Sequence, residues 1–326
     1  AMITHRGSCE ADETLARRGA EFIRKPPPGW PRSLNFSPTG SLFLASGEAL
    51  EEQELIAGRL RAAGVDAHMQ SQTWVAEKIP ILEGCEFESA LWCPSDGVVD
   101  IQALLEGFLE GAQAGGAELW MDCELKTAQV RNGRVALAET SQGRVETEFF
   151  IDAAGAWSGA VAEMAGAARL PLRPCRRHLF RTGTLSWVDP EWPLVWDTTG
   201  SYYFRPEADG LLLSPCDEDE HPPSLPEADS AARALLVEKL RRWVPPLQWL
   251  RYEASWACLR TLTPDNRFVI GWDPLVQDFF WVAGLGGHGA TCSATVGEMA
   301  ARLILGRQDS PDPNFAPERL VSTSPS

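Results

Sequence analysis

Two arginines, one glycine loop and one histidine are the residues of this chain that could do chemistry. Arg177 follows Arg176 inside the strand-like run LPLRPCRRHLFRTGTL, and Arg260 lies between Leu259 and Thr261 in SWACLRTLTPDNRFVIGW. A guanidinium in an apolar strand must be paired, because an unpaired buried charge is costly, and a carboxylate is its natural fork-to-fork partner. Each arginine could be locked to one of the chain's own Asp or Glu residues. Two of them aimed at one cavity would instead bind a small anionic molecule.

The glycine loop is in FFWVAGLGGHGATCSATVGEMAARLI, where Gly284, Gly286 and Gly289 spell G-x-G-x-x-G. An apolar run, Phe279 to Ala283, leads through the glycines into a helical pattern whose free N–H groups would face an electron-rich partner. A dinucleotide fingerprint also needs a second parallel strand carrying an acidic residue about 20 positions on. Asp309 has that spacing but sits in a polar tail with prolines, GRQDSPDPNFAPERL, which cannot form a buried strand. The expectation is therefore a helix N-terminus reached through a flexible loop, not a pyrophosphate site. His288 alone of the five histidines lies where glycines allow a ligand close to the backbone, and no catalytic triad is legible.

The totals exclude several classes. A formal net charge of -16 over 326 residues gives no surface for nucleic acid. No stretch approaches the roughly 18 consecutive apolar residues of a membrane span, and the first residues do not read as a signal peptide. A cytoplasmic protein is expected. The eight cysteines show no C-x-x-C pair, so neither a zinc site nor a disulfide framework is expected, and most read as small buried residues.

These residues need elements to position them. Helical spacing is predicted from Leu15 to Arg24, from Glu48 to Ala63, from Ile101 to Ala114 after an Asp100 cap, and from Ala228 to Trp243. Strands are predicted at Ser41 to Ser46 and Glu118 to Met121, with a hairpin over Ala128 to Ala138 turning at Asn132-Gly133. FFIDAAGAWSG reads as an apolar strand, a turn and a helix to Met164, and the stretch from Leu170 to Tyr252 is strand-rich. The fold class is α/β, α+β overall, with a sheet domain inserted into an α/β scaffold.

The segments CPSDGVVDIQALLEGFLEGAQAGGAEL, FFIDAAGAWSGAVAEMAG, SYYFRP, SWACLRTLTPDNRFVIGW and the glycine loop with its helix occur in this order. Together they resemble the D-amino-acid oxidase superfamily of FAD-dependent oxidoreductases over essentially the whole chain. The most similar branch is the bacterial D-amino-acid dehydrogenases, D-arginine dehydrogenase included, followed by glycine and sarcosine oxidases. The resemblance implies a two-domain FAD/NAD(P)-binding-like fold. Residues 1–36, 93–170 and 256–326 would bind FAD, and residues 37–92 and 171–255 would form the substrate domain.

It also implies roles. Gly286, Gly287, His288 and Gly289 would face the flavin ring; Ala153, Ala154, Gly155 and Trp157 would lie near the pyrophosphate and ribose, and Leu125 near the adenine. Arg177, Arg260 and Tyr203 would hold the carboxylate of a small amino acid, most plausibly a D-amino acid, with Met2, Thr4 and Ser41 in the substrate pocket. Hydride would pass from Cα to the flavin, giving an imino acid and then a 2-oxo acid and ammonia, with oxygen or a quinone as the final acceptor.

Three departures from the family stand out. The family's first strand and its own G-x-G-x-x-G, about 45 residues by usual βαβ lengths, precede Ala1, so either the chain is a fragment or its FAD binding is weak or absent. Met2, Gly7 and Ser41 stand where D-arginine dehydrogenases carry histidine, tyrosine and glutamate, which argues against D-arginine. Cys258 stands where sarcosine-oxidase relatives bond flavin covalently; an inert buried cysteine is the alternative. Two other readings stay open: a flavin-deficient binding module, and an N-methyl amino acid oxidase.

Overall fold

The computed structural model describes residues 1–7, 9–307 and 310–321, so Asp309 lies outside the described residues. The chain begins with β1 (Met2–Ile3), α1 (Glu10–Arg24), β2 (Ser41–Ala45), α2 (Glu48–Ala62), β3 (His68–Gln70), α3 (Gln72–Lys78), β4 (Ser89–Cys93) and β5 (Gly97–Val98). It continues through α4 (Ile101–Ala114), β6 (Leu125–Arg131), β7 (Arg134–Thr140), β8 (Gly143–Glu146), β9 (Phe150–Asp152) and α5 (Ser158–Ala165). Then come β10 (Arg173–Thr182), β11 (Leu194–Asp197), β12 (Tyr202–Glu207), β13 (Gly210–Ser214) and α6 (Ser230–Trp243). The last elements are β14 (Tyr252–Leu262), β15 (Val269–Trp272), β16 (Phe279–Ala283) and α7 (Gly289–Ile304).

The largest sheet has eight strands in the order β14-β10-β13-β12-β11-β2-β4-β3. Its one parallel pairing is β11 with β2. β2 reads SLFLA and is buried throughout, because both its faces are covered. Leu42 and Leu44 point into a core shared with α6 residues Leu236 and Leu240 and with Val75 of α3. Phe43 points the other way, into a smaller core with Ile56, Ala57 and Leu60 of α2. On that second face α2 covers β3, β4 and β2; the floor over β11 to β10 is left for a site.

A second sheet, β15-β16-β9, carries the glycine loop at the end of β16. α7 packs on it through Cys292, Val296 and Leu303, and Leu15 of α1 completes that core. The two helices approach closely: a Cβ on Gly19 would lie 1.9 Å from the Thr291 carbonyl oxygen. Thr295 Oγ1 also donates to the Leu15 carbonyl at 3.0 Å. Both contacts fix α7, and with it the loop that precedes it.

Local chemistry explains most element ends. The Asp100 carboxylate accepts from the N–H groups of Gln102 and Ala103, capping α4. Asn132 (φ 52°) and Gly133 (φ 79°) form the tight turn of the β6–β7 hairpin. The strand expected at Glu118 to Met121 does not form: this stretch pairs with nothing, and Leu119, Trp120 and Met121 are exposed. An apolar run without a neighbouring strand has no ladder to join. The boundaries placed at 92/93 and 255/256 fall inside β4 and β14, both strands of the eight-stranded sheet. No described helix is long and apolar enough to cross a membrane.

Candidate active site

β10 and β14 pair antiparallel, with Arg177 opposite Cys258 and Arg260 opposite Cys175. Opposed residues share a face and the side-chain period along a strand is two, so Arg177 and Arg260 are diagonal neighbours on one face. Arg176 points the other way, where its Nη1 donates to Asp229 at 2.8 Å. Arg177 is 2 % exposed; its Nη2 donates to Glu218 on the rim at 2.6 Å, while Nε and Nη1 are buried with no hydrogen-bond partner. A buried guanidinium with two unpartnered donors has the capacity to take further acceptors.

The loop after β16 meets this pair. Gly284 (φ 69°) and Gly286 (φ 52°) adopt left-handed conformations that turn the backbone, and the Gly286 N–H donates to the Thr261 carbonyl at 3.0 Å. That bond ties the loop to β14 one residue from Arg260. A Cβ on Gly287 would stand 2.9 Å from Arg260 Nη1, so glycine here lets the guanidinium lie against the backbone. α7 then starts at Gly289, with no side chain capping its first N–H groups.

Between these parts lies a cavity of about 340 Å³, walled by Met2, Thr4, Arg6, Phe43, Trp196, Arg177, Arg260, Gly286, Gly287 and His288 among others. Three guanidiniums, those of Arg6, Arg177 and Arg260, line it. Burial, then the charge of Arg177, holds Arg260 below the usual arginine range. Burial also lowers Arg6. Burial, with Arg260 and Arg6 behind it, takes His288 down to about 4, so its imidazole is neutral at pH 7. Glu52 and Glu218 line the outer wall, where both are exposed.

Of the residues expected in the site, Arg177, Arg260, His288, Met2, Thr4, Gly286 and Gly287 share this cavity, and Gly289 opens α7 beside it. Tyr203 lies on the same sheet face, opposite Trp196 in the ladder and 2 % exposed, behind the wall and not in it. Burial raises its phenol against the opposing charges of Arg260 and Arg177, which places all three in one neighbourhood.

Ser41 needs correcting. It is not among the residues lining the cavity; its hydroxyl donates to Asp96, and Asp96 also accepts from the His5 backbone N–H at 2.9 Å and contacts its Nδ1. The buried Asp96 needs donors, and Ser41 is one of them. Cys258 is exposed, not buried, and is not a wall residue; only Cys93, Cys175 and Cys292 are buried.

Leu125 belongs to the separate β6-β7-β8 sheet, while Ala153, Ala154, Gly155 and Trp157 form the turn after β9, with Trp157 44 % exposed. These five do not reach the cavity. Arg6, Phe43, Glu52, Trp196 and Thr198 line it unforeseen. The alternation in SLFLA does set Phe43 apart from Leu42 and Leu44, but nothing in a loop such as HRG marks Arg6.

The site is thus a sheet floor bearing two arginines, roofed by a glycine loop and a helix N-terminus. The family described as FAD dependent oxidoreductase (DAO) matches residues 3–303, and the chain belongs to it. It is 26 % identical over 283 residues to the mouse (Mus musculus) pyruvate dehydrogenase phosphatase regulatory subunit, mitochondrial, covering 82 % of this chain and 32 % of the relative. It is 24 % identical over 286 residues to the mouse sarcosine dehydrogenase, mitochondrial, covering 83 % and 31 %. The chain thus spans about a third of these relatives' length. The fold matches the crystal structure of L-proline dehydrogenase from P. horikoshii with a TM-score of 0.85 and 24 % identity, over 97 % of this chain and 85 % of that one.

The residues present fit such a cofactor. A Cβ on Gly287 would crowd the Arg260 guanidinium, and α7, whose first N–H groups no side chain caps, starts beside the cavity. The turn after β9 offers Gly155 at φ 59° with open space above it. Beside it Asp152 is buried with Oδ2 unpartnered, and burial raises its carboxyl to about 6.

Proposed function

We propose that this chain oxidises a small amino acid, holding its carboxylate between Arg177 and Arg260. The carrying observation is the pair of guanidiniums on one strand face, Arg177 with two buried donors unused, both opening on the cavity that the α7 loop closes. Gly286, Gly287 and the start of α7 would hold FAD, which would supply the acceptor for a hydride from the substrate carbon. The chain's own part is positional. The arginines orient the substrate, Phe43 and Trp196 keep water from one wall, and neutral His288 adds no third charge beside Arg260. The uncapped N–H groups of α7 favour negative charge at the roof. The product is an imino acid, which water converts to a 2-oxo acid and ammonia. D-configuration and an electron acceptor such as oxygen or a quinone are the finer parts of this proposal.

The test is anaerobic. Protein supplied with FAD is mixed with D- and L-amino acids, glycine and N-methylglycine, and the visible flavin band is followed. Bleaching by one of them supports the reading, and a D-over-L preference supports its finer part. A band unchanged by the whole panel refutes it. A second reading, binding without turnover, is favoured by the relative named a regulatory subunit. It predicts thermal stabilisation by an amino acid with no bleaching.

A further inference from the structure

The arginine pair occupies one end of the cavity; the other end holds a third guanidinium with no role in gripping an amino-acid head. Arg6 lines the same cavity, with its Cζ 5.2 Å from the centroid of the Phe43 ring and its Nη1 buried without a hydrogen-bond partner. Phe43 belongs to β2, and Arg177 to β10, which lies beyond β11, β12 and β13 in the sheet. Four strand spacings of about 4.8 Å separate the two backbones, a gap that the inward-reaching arginine arms shorten but do not close. Between them the floor is aromatic: the rings of Phe43 and Trp196 sit 6.3 Å apart. Glu52 is the charge that most affects Arg6, and Arg177 the one that most affects Arg260, while both guanidiniums act on His288. The cavity therefore has two cationic poles joined by an apolar floor.

Resting on the function proposed above, we infer that the substrate is an amino dicarboxylate whose second carboxylate, several bonds from the amino-acid head, is bound by Arg6. A single-carboxylate substrate would leave the Arg6 Nη1 donor buried and idle in the complex, at the cost of a desolvated charge. A second carboxylate satisfies it, while the intervening methylenes cover Phe43 and Trp196.

Succinate, glutarate, adipate and pimelate, which carry no oxidisable amine, are compared by calorimetry with butyrate, pentanoate, hexanoate and heptanoate on the full chain supplied with FAD. At one chain length the dicarboxylate is expected to bind at least about 10-fold tighter than its partner. Arg6→Gln should bring that ratio to about one, and Arg6→Lys should restore part of it. Arg177→Gln should weaken both series. Equal binding of the two series at every length, or a ratio untouched by Arg6→Gln, overturns this inference and leaves the proposed function standing. Binding of neither series overturns both.

Discussion

Replacing Arg260 by methionine should make the protein more stable and less able to bind a carboxylate. Among the described residues Arg260 makes no ion pair, and its largest electrostatic neighbour is another cation, Arg177. A partly buried cation beside another cation costs stability unless a ligand neutralises it. Methionine keeps most of the volume beneath Gly287 and removes the charge, and such replacements gain about 1–3 kcal/mol. For a chain of this length that is a rise of a few degrees, at about 2 °C per kcal/mol. In the complex, one charge-assisted hydrogen bond is lost, worth about 1.5–3 kcal/mol, or about 10- to 150-fold in affinity. Thermal and urea unfolding without ligand give the first quantity, and calorimetric titration with butyrate the second. A variant that melts lower than the parent and binds butyrate as well would refute the reasoning, because Arg260 would then be a satisfied structural residue.

The remaining expectations concern its neighbours. Gly287→Ala should push the Arg260 guanidinium from its seat, since the new Cβ would fall 2.9 Å from Nη1, and weaken butyrate about 10-fold with little change in fold by circular dichroism. His288, held near 4 when folded and near 6.5 when unfolded, is protonated more readily in the unfolded chain. Its contribution is therefore complete above pH 6.5 and is lost as pH falls toward 4, up to about 3 kcal/mol; His288→Gln should flatten that part of the stability profile measured by urea unfolding. Asp96→Asn should destabilise by about 2–4 kcal/mol in the same assay, because it leaves the donors of His5 and Ser41 facing a neutral amide. Arg176→Gln breaks the pairs with Asp229 and Asp219, both outside the cavity, so butyrate affinity should be unchanged and stability lower by no more than about 1 kcal/mol.

Much of this was legible in the residues. Strand alternation separates Arg176 from Arg177, and glycines before a helical pattern mark the loop at His288; both follow from local geometry that sequence encodes. What sequence does not encode is which distant group captures a side chain. Ser41 looked available to a substrate, but Asp96, 55 positions away, takes its hydroxyl. Cys258 was expected buried, yet β14 lies at the edge of the eight-stranded sheet and exposes it. Arg6 follows a two-residue strand with no periodic pattern, so only the folded chain brings it over Phe43. The apolar stretch at Glu118 to Met121 carries a strand pattern without a strand to pair with.

A crystal structure of the chain with bound butyrate tests the central claim most directly. The account predicts the carboxylate between Arg177 and Arg260, accepting from at least one of Arg177 Nε and Nη1, with the alkyl chain directed into the cavity. A carboxylate found elsewhere, with both arginines turned to acidic side chains of the protein, would contradict it.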